Sequence, residues 1–581
     1  MKQAPGTYLR NISLFISILI SLIVIYDLGF HQSPAIQKVL LWIYWTILIT
    51  EALFLIVRYG FKKDRPAPKV RLFDLLLLSG ILVLLASKAG WVDAPVLTYP
   101  WWIYIVLFLI FIRETLALNI NLKRSNLNPA QLFIASFVLV ILGGAFLLMV
   151  PKATHTGISF MDALFTSTSA VCVTGLIVVD TGTHFTVLGQ SIIMILIQLG
   201  GLGIMTFTSY FSYFFKGGSS YENQLLLKDM TQSEKIADIY RTFKRIILLT
   251  LSIEGIGAFA IYQSMGTAEV AAIGEPIFFS VFHSISGFCN AGFSTLTNSL
   301  YETGFRFNYI LQIVVAILFI TGGLGFPIVF NFVKYLKHLL INRLVPALRF
   351  KQAIHKPWVI NINARIVVIT TFILLTGATL LVFLFEYDHT LAEHHGIGKV
   401  ITAFFTAATP RTAGFNAVGT ESLRLSSLLL MLFLMWVGAS PASTGGGIKT
   451  STLAIGVLNS LSLARGRQRI EIYHREISGF SVRRAFAIMF LSLLAIGTAV
   501  FLITVFEHGQ SLFPIVFECF SAYGTVGLSL GITSSLSDAS KVVLILTMFI
   551  GRVSMLTILV AVLRKVRHVA YRHPTEDILI N

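Results

Sequence analysis

Long apolar runs separated by short basic segments dominate the chain. Four runs come first, near residues 12–30, 39–58, 72–90 and 100–118. From about residue 129 the pattern changes to a longer unit, which holds an apolar span, a shorter semi-apolar stretch, a glycine-bearing loop and a second span. Runs of about 18 or more apolar residues are typical of helices that cross a membrane. The pattern therefore predicts an all-α polytopic membrane protein.

This longer unit occurs four times. Its paired spans lie near 130–150 and 185–215, 243–264 and 308–336, 364–385 and 425–460, and 485–506 and 541–563. The intervening loops end on glycines separated by 117, 122 and 113 residues: Gly175, Gly292, Gly414 and Gly527. A phenylalanine stands ten residues before each glycine (Phe165, Phe282, Phe404, Phe517), and a small residue stands six before it (Ser169, Ser286, Ala408, Ser521). Such self-similarity at a fixed period indicates an internal repeat.

We therefore expect four fused span–pore-loop–span repeats around a pseudo-fourfold pore, preceded by about four extra N-terminal transmembrane helices. The expected boundaries are 1–128 for the extra helices and 129–242, 243–358, 359–482 and 483–581 for the repeats, the last with a short cytoplasmic tail. The first block lacks an arginine at every third residue, which argues against a voltage sensor. Its role is not readable from the sequence.

Charge and motifs narrow the class further. The net charge is +17, but only 12% of residues are charged and 55% are hydrophobic. Because the basic residues fall in the short connections, the positive-inside rule explains them without a nucleic-acid partner. The rule also places both termini in the cytoplasm and lets the loops enter from the outer face. No P-loop, H-E-x-x-H or G-x-S-x-G motif is present, so we do not expect an enzyme.

The glycine loops carry the candidate chemistry. Non-helical backbone at membrane depth must be buried in protein or line a watery cavity. Half-helices starting near Met161, Phe278, Val400 and Phe513 would point their partly negative C-terminal ends at such a cavity, which favours a cation. Rings of backbone carbonyls can then replace the hydration shell of the ion. The alternative is that the loops are kinks in packed helices, with glycine allowing close approach.

The loop sequences resemble one family. They read "TSAVCVTGL" (168–176), "NAGF" (290–293), "TPRTAGF" (409–415) and "GTVGLS" (524–529), and over roughly residues 128–570 the chain resembles the Trk/Ktr/HKT superfamily of potassium transporters. The resemblance implies a permeation filter formed by Val173, Thr174, Gly175, Asn290, Ala291, Gly292, Thr412, Ala413, Gly414, Thr525, Val526 and Gly527. In this family, serine in place of the first-loop glycine accompanies sodium preference. Gly175 thus favours potassium. Because only the first, third and fourth loops carry threonine, we expect looser selectivity than in tetrameric potassium channels.

A second break is expected inside the second span of repeat three. Residues 438–450 read "GASPASTGGGIKT", and their proline and glycines cannot continue a stable helix. The resemblance implies an intramembrane gating loop here; the alternative is a plain break between packed half-helices. The candidate gating residues are Gly438, Ser440, Pro441, Gly445, Gly446, Gly447, Lys449 and Arg552. Lys449 lies either in the pathway or at the cytoplasmic interface.

Three further ionisable residues stand inside apolar segments. Arg552, in the last span, is expected to raise an electrostatic barrier to potassium, to bond carbonyls exposed by the break at 438–447, or to do both. Glu254 and Glu518 can relay protons or bind coupling ions. We favour a hydrogen bond from the backbone of the fourth loop to Glu518, and a structural role for His283, which stands at the equivalent place before Gly292.

Together these features predict potassium uptake across the cytoplasmic membrane, driven by the membrane potential; the alternative is a sodium-selective or sodium-coupled transporter. The expected bound ion is potassium at the filter residues, with no organic cofactor in this chain. By resemblance, the protein forms a homodimer in the lipid bilayer and sits on separate cytoplasmic nucleotide-binding regulatory subunits. The basic segments 216–245, 334–358 and 465–484 are the expected docking surfaces.

Overall fold

The structure is a computed structural model that describes residues 5–60, 68–89, 91, 101–116, 129–214, 239–335 and 362–562. Within these ranges the chain is almost entirely helical, and one short β-hairpin is the exception. The chain divides into two compact units. The first comprises Met1–Lys123, Leu147–Ile158 and Thr186–Gly189, and the second comprises the remaining residues. The prediction of a helical protein is confirmed.

Unit 1 contains four long helices: Pro5–Gly29, Pro34–Gly60, Pro68–Lys88 and Trp101–Leu116. Their core holds aliphatic side chains around the buried Tyr44. Two polar contacts lie inside this apolar packing. Asp74 pairs with Arg113 at 3.0 Å, and Asp27 accepts hydrogen bonds from the hydroxyls of Tyr44 and Tyr104. These groups are satisfied within the unit, as buried polar groups must be.

Four stretches of the chain repeat one order of elements: a helix, a half-helix, a loop and a second helix. The leading helices are Pro129–Leu148, Ile239–Ser264, Ile362–Glu386 and Gly479–Phe506. The half-helices are Phe160–Val171, Pro276–Cys289, Ile397–Ala408 and Leu512–Gly524. Each half-helix starts one to three residues before the expected position.

The second helices differ from the expectation, which placed a break only in repeat three. The first of them, Val187–Phe214, is continuous. In repeat two the helix Tyr309–Leu324 bends by 108° into Phe326–Tyr335, because Gly325 takes a φ of +85°. In repeat four Asp538–Val553 and Met555–Val562 meet at Ser554, with a φ of 76°. The break of repeat three lies between Leu425–Trp436 and Thr450–Ala464.

Polar contacts tie the first helix of a repeat to the start of its second helix. The Glu386 carboxylate accepts hydrogen bonds from the Arg424 backbone N–H at 2.9 Å and from the Ser427 hydroxyl at 2.5 Å. Glu507 accepts from the backbone N–H of Ser537 at 2.8 Å. A carboxylate at a helix N-terminus satisfies free N–H groups and favours the helix dipole. These contacts fix the helix ends that flank the half-helices of repeats three and four.

Length and composition support membrane insertion. Four of the described helices are long and apolar enough to span a bilayer, in Pro34–Val57, Lys244–Ser264, Ile362–Glu386 and Gly479–Phe506, and the bent pair of repeat two is a fifth candidate. The basic segment 465–484 carries the β-hairpin, with strands Glu471–Ile472 and Arg475–Glu476. The expected docking segments 216–245 and 334–358, and the expected tail, lie largely outside the described residues.

Candidate functional site

The four glycine loops share one backbone conformation, and we number them loops 1 to 4 in chain order. In each loop the glycine has a positive φ: 89° at Gly175, 70° at Gly292, 80° at Gly414 and 94° at Gly527. The residue two positions earlier also has a positive φ: 57° at Val173, 61° at Asn290, 74° at Thr412 and 49° at Thr525. The residue between them keeps a negative φ. This alternation turns successive peptide groups in a way that no regular helix or strand does.

The alternation is energetically costly outside glycine. Val173, Thr412 and Thr525 are β-branched, and such residues rarely adopt a positive φ. Each strained residue costs about 1–3 kcal/mol, and it persists only where the surrounding structure forces it. Strain of this kind at the same position of several loops is typical of a site where backbone geometry serves a function.

The four loops meet in cyclic order. A Cβ atom added to Gly175 would collide with the carbonyl oxygen of Ala291, the middle residue of loop 2. The same relation joins Gly292 to the Ala413 carbonyl, Gly414 to that of Val526, and Gly527 to that of Thr174. The contacts therefore close a ring in the order 1, 2, 3, 4 and back to 1, formed by the glycine and the middle residue of each loop. Glycine leaves room for this close approach, because an added Cβ would lie within 2.9 Å of the neighbouring carbonyl oxygen at all four positions.

A hydroxyl residue supports each loop from its half-helix. The backbone N–H of the middle loop residue donates to the carbonyl of this residue at 2.8 to 2.9 Å in all four loops: Ser169, Ser286, Thr409 and Ser521. The side-chain hydroxyls also bond their own loop. Ser169 and Ser521 accept from the glycine N–H at 3.1 Å, whereas Ser286 and Thr409 donate to the carbonyl after the glycine at 2.7 and 2.6 Å.

This contact corrects the sequence alignment of loop 3 by one residue. The expected small residue was Ala408, but the supporting residue is Thr409. The aligned phenylalanine is likewise Phe405, which is fully buried as Phe165, Phe282 and Phe517 are, and not Phe404. Loop 3 is one residue shorter between its half-helix and its glycine, and counting back from the glycine concealed this.

An open cavity lies above the ring. It has a volume of about 370 Å³, and the four loop glycines line its floor. The side chains of Asp180 and Glu421 also line it. Carboxylates that line a cleft with low-dielectric walls focus negative potential and raise the local concentration of cations. The cavity can therefore gather cations at the entrance to the ring.

The segment 438–450 lies against the other side of the ring. The Thr444 hydroxyl donates to Asn290 Oδ1 at 2.8 Å, and the Gly446 N–H donates to Thr525 Oγ1 at 3.0 Å. Asn290 Nδ2 donates in turn to Thr412 Oγ1 at 3.2 Å. The segment thus contacts the first strained residue of loops 2 and 4 directly. Val173, the corresponding residue of loop 1, has no side-chain hydrogen-bonding group.

Hydrogen bonds to neighbouring backbone groups and from two basic side chains hold this segment in place. The N–H groups of Ser440 and Thr444 donate to the carbonyls of Gly323 and Gly322, at the end of the helix that Gly325 breaks. Lys449 Nζ donates to the Gly445 carbonyl at 2.5 Å, so the side chain folds back onto its own segment. Arg552 donates to the carbonyls of Thr444 and Gly200, the latter at 2.7 Å.

The geometry therefore matches one of the two expectations for Arg552, a bond to carbonyls that the break exposes. Gly438 packs against the Gly446 carbonyl, and the Pro441 carbonyl packs against Gly325. Two contributors were missed from the sequence. Thr444 lay within the expected segment without being selected, and Gly325 belongs to the run "TGGLGFP" (321–327), whose glycines and proline signalled a break.

Glu254 and Cys289 lie behind loop 2. The Glu254 carboxylate accepts a hydrogen bond from Gln198 Nε2 at 3.1 Å and from the Cys289 thiol at 3.7 Å. The three cysteines are buried and unpaired, as expected of small packing residues. Among the described residues no group of three or more histidine, cysteine or acidic side chains could hold a metal ion. The candidate cation site is the ring formed by loops 1 to 4, where four backbone carbonyl oxygens abut neighbouring glycines.

Comparisons with known proteins identify the family of the chain. The family model for TrkH, described as a cation transport protein, matches residues 103–569. The chain is 37% identical to the Ktr system potassium uptake protein B of Bacillus subtilis over 438 residues, which are 75% of this chain and 93% of that protein. It is 34% identical to the potassium/sodium uptake protein NtpJ of Enterococcus hirae over 79% of this chain and 98% of that protein.

The fold has a solved counterpart. The crystal structure of the potassium transporter TrkH from Vibrio parahaemolyticus superposes with a TM-score of 0.60 and covers 90% of this chain and 98% of that one, at 17% identity. The sequence resemblance to Trk and Ktr transporters is thereby confirmed. The family transports cations across membranes and does not catalyse a chemical reaction. This chain therefore belongs to the TrkH family of cation transport proteins, within the Trk and Ktr potassium uptake transporters.

Proposed function

We propose that the protein takes up potassium through the ring of loops 1 to 4, driven by the membrane potential. The observation that carries this proposal is the shared alternation of φ in four loops whose glycines each abut the next loop's carbonyl. Ring carbonyls replace the hydration shell of the ion, and the C-terminal ends of the half-helices add negative potential. A membrane potential supplies about 2.3 kcal/mol per elementary charge per 100 mV, which suffices for accumulation.

The test is potassium flux into liposomes that contain the purified protein at a set membrane potential. We expect uptake that grows as the interior becomes more negative, and a loss of potassium preference in Gly175→Ser. Gly143→Ala is the matched control, since that glycine of the same repeat has no heavy atom within 4 Å of an added Cβ. Absence of potential-driven potassium flux in the parent protein, with or without sodium, would contradict the proposal.

Sodium transport is the second candidate. Asn290 occupies the position that carries valine or threonine in the other loops, and one relative is named for potassium and sodium uptake. Flux competition separates the two cases. Potassium uptake that sodium leaves unchanged favours a potassium transporter, whereas uptake that requires sodium favours coupling.

Residues 438–450 would act as the gate. In this conformation they contact Asn290 and Thr525 at the side of the ring opposite the cavity, where they would obstruct an ion leaving the ring. A gate must be movable, and the glycines of the segment allow the backbone to change conformation at low cost. Deleting Gly445, Gly446 and Gly447 should increase potential-driven flux; flux that stays at the parent level would contradict this role.

The assembly would match the expectation from the sequence. The protein would lie in the cytoplasmic membrane with both termini inside, form a homodimer, and bind separate cytoplasmic nucleotide-binding subunits at its basic segments. Among these segments, 465–484 is described over its whole length, and it exposes Arg465 and Arg467 before the hairpin and Arg475 within it. Mass measurement of the complex purified with its lipids tests the dimer, and co-purification with the candidate regulatory subunit tests the second partner.

A further inference from the structure

One position in each half-helix separates the four loops into two pairs. It lies three residues before the supporting hydroxyl residue, and it is occupied by Thr166, His283, Thr406 and Glu518. All four side chains are buried, with exposed fractions of 1%, 0%, 3% and 0%. We call it the anchor position. We call the residues that follow the loop glycine the outward limb of the loop. In repeats two and four the anchor side chain contacts this limb.

The anchor residues of loops 2 and 4 bond the same place in their loops. His283 Nε2 contacts the Ser294 hydroxyl at 2.9 Å, and its Nδ1 contacts the Phe279 carbonyl at 2.9 Å. The Glu518 carboxylate accepts hydrogen bonds from the hydroxyls of Ser529 and Thr533, the latter at 3.0 Å. Ser294 and Ser529 each stand two residues after their loop glycine. An imidazole and a carboxylate thus perform the same contact in two repeats.

Loops 1 and 3 lack this contact. The hydroxyls of Thr166 and Thr406 are buried and have no hydrogen-bond partner within the described residues. The residues two after the glycine are Ile177 and Asn416, and neither bonds the threonine. Because the loops follow one another around the ring in the order 1, 2, 3, 4, the two anchored loops face each other, and so do the two loops without an anchor.

We propose that His283 and Glu518 are positioning residues that set ion selectivity by fixing the outward limbs of loops 2 and 4. This proposal rests on the proposed function of the ring as a cation filter. Neither side chain reaches the ion; each acts through a serine hydroxyl on the backbone whose carbonyls lie in the ring. A filter discriminates between potassium and sodium only if its carbonyls resist closing around the smaller ion. The outward limbs of loops 2 and 4 face each other and supply that resistance. The imidazole of His283 and the carboxylate of Glu518 serve equally well, because each bonds the serine of its limb.

The test compares potassium and sodium flux ratios of liposomes that contain the parent or a variant. Glu518→Leu removes the acceptor, and we expect the potassium-to-sodium ratio to fall about tenfold, equivalent to about 1.4 kcal/mol. Glu518→Gln keeps an acceptor oxygen at the same place, so it should retain most of the ratio. Thr166→Val, at the anchor position of loop 1, is the matched control and should leave the ratio unchanged.

Ser529→Ala and Ser294→Ala provide a second route, because they remove the partner without altering the half-helix. Both should lower the ratio while the maximal potassium flux changes less. If Glu518→Leu does not fold, these two variants decide the question. An unchanged ratio in Ser529→Ala and Ser294→Ala, or an equal fall in Thr166→Val, would overturn the proposal. A parent protein without potassium flux would instead contradict the proposed function itself.

Discussion

Loops 2 and 4 differ from loops 1 and 3 in what holds them, although their backbones agree. All four alternate φ in the same way, and all four bond a hydroxyl residue of their half-helix. Only loops 2 and 4 have a buried side chain at the anchor position, His283 or Glu518, that bonds the outward limb. Four loops with the same backbone conformation can therefore be held by anchor contacts that are present in only two of them.

The ring backbone and the side chains that hold it are under different physical constraints. The ring requires one backbone geometry at every corner, because each glycine abuts the carbonyl of the next loop. The supports need only supply a hydrogen bond, and many residue types can do so. The repeats can therefore diverge at the anchor position while their loops stay alike, and the divergence can adjust stiffness without changing the shape of the ring.

The largest expected effect is on potassium flux, when a loop glycine is replaced. Comparing the four positions tests whether each loop contributes to the ring in the same way. Replacing any one loop glycine by alanine should reduce potassium flux by about 100-fold or more, since the Cβ would meet a backbone carbonyl and the positive φ would become strained. The measurement is flux into liposomes, with Gly143→Ala as the control. Parent-like flux in one of Gly175→Ala, Gly292→Ala, Gly414→Ala or Gly527→Ala would show that its loop lies outside the pathway.

A second, smaller effect concerns the contacts of the segment 438–450, the proposed gate. Arg552→Gln removes a charged donor from the carbonyls of Thr444 and Gly200, and hydrogen bonds to charged groups contribute about 1.5–3 kcal/mol each. We expect the segment 438–450 to open more often and the flux at a fixed potential to rise about tenfold. Arg552→Lys keeps one charged donor and should give an intermediate flux. A flux at or below the parent value would contradict this account.

A third prediction concerns the contact between loop 4 and the segment 438–450, and loop 1 provides the comparison. Thr525→Val removes the acceptor of the Gly446 N–H, whereas loop 1 already carries an apolar valine at the corresponding position, Val173. One lost hydrogen bond of about 1 kcal/mol should raise the flux about fivefold. Stopped-flow measurement of ion entry can resolve this change. No increase would mean that the contact to loop 4 does not hold the segment closed.

The smallest effect concerns stability. Thr166→Val and Thr406→Val remove hydroxyls that have no hydrogen-bond partner in the described part of the chain, so the free energy of unfolding should stay within about 0.5 kcal/mol of the parent value or rise. Ser529→Ala leaves Glu518 with one donor fewer and should cost about 1–2 kcal/mol. Thermal unfolding in detergent compares the three variants. Equal losses in all three would remove the distinction between anchored and unanchored loops.

The amino-acid sequence alone determined the broad architecture and the family. Apolar runs and their period gave the helical repeats, and the loop motifs ending on Gly175, Gly292, Gly414 and Gly527 identified the residues that the structure brings into one ring. The run "GASPASTGGGIKT" located the break between Trp436 and Thr450. These features are local, because proline, glycine and hydrophobic period act on the chain within a few residues.

Only the tertiary structure decided the features that depend on distant contacts. The one-residue shift in loop 3, where Thr409 takes the place expected for Ala408, depends on a hydrogen bond across the loop. The sharp bend at Gly325 packs against Pro441 and Ala442, which are more than 100 residues away. Three hydrogen bonds likewise follow only from the coordinates: Lys449 with the Gly445 carbonyl, His283 with Ser294, and Glu518 with Ser529. A residue's spacing in sequence fixes its periodicity, but its hydrogen-bond partner is set by how the chain folds back.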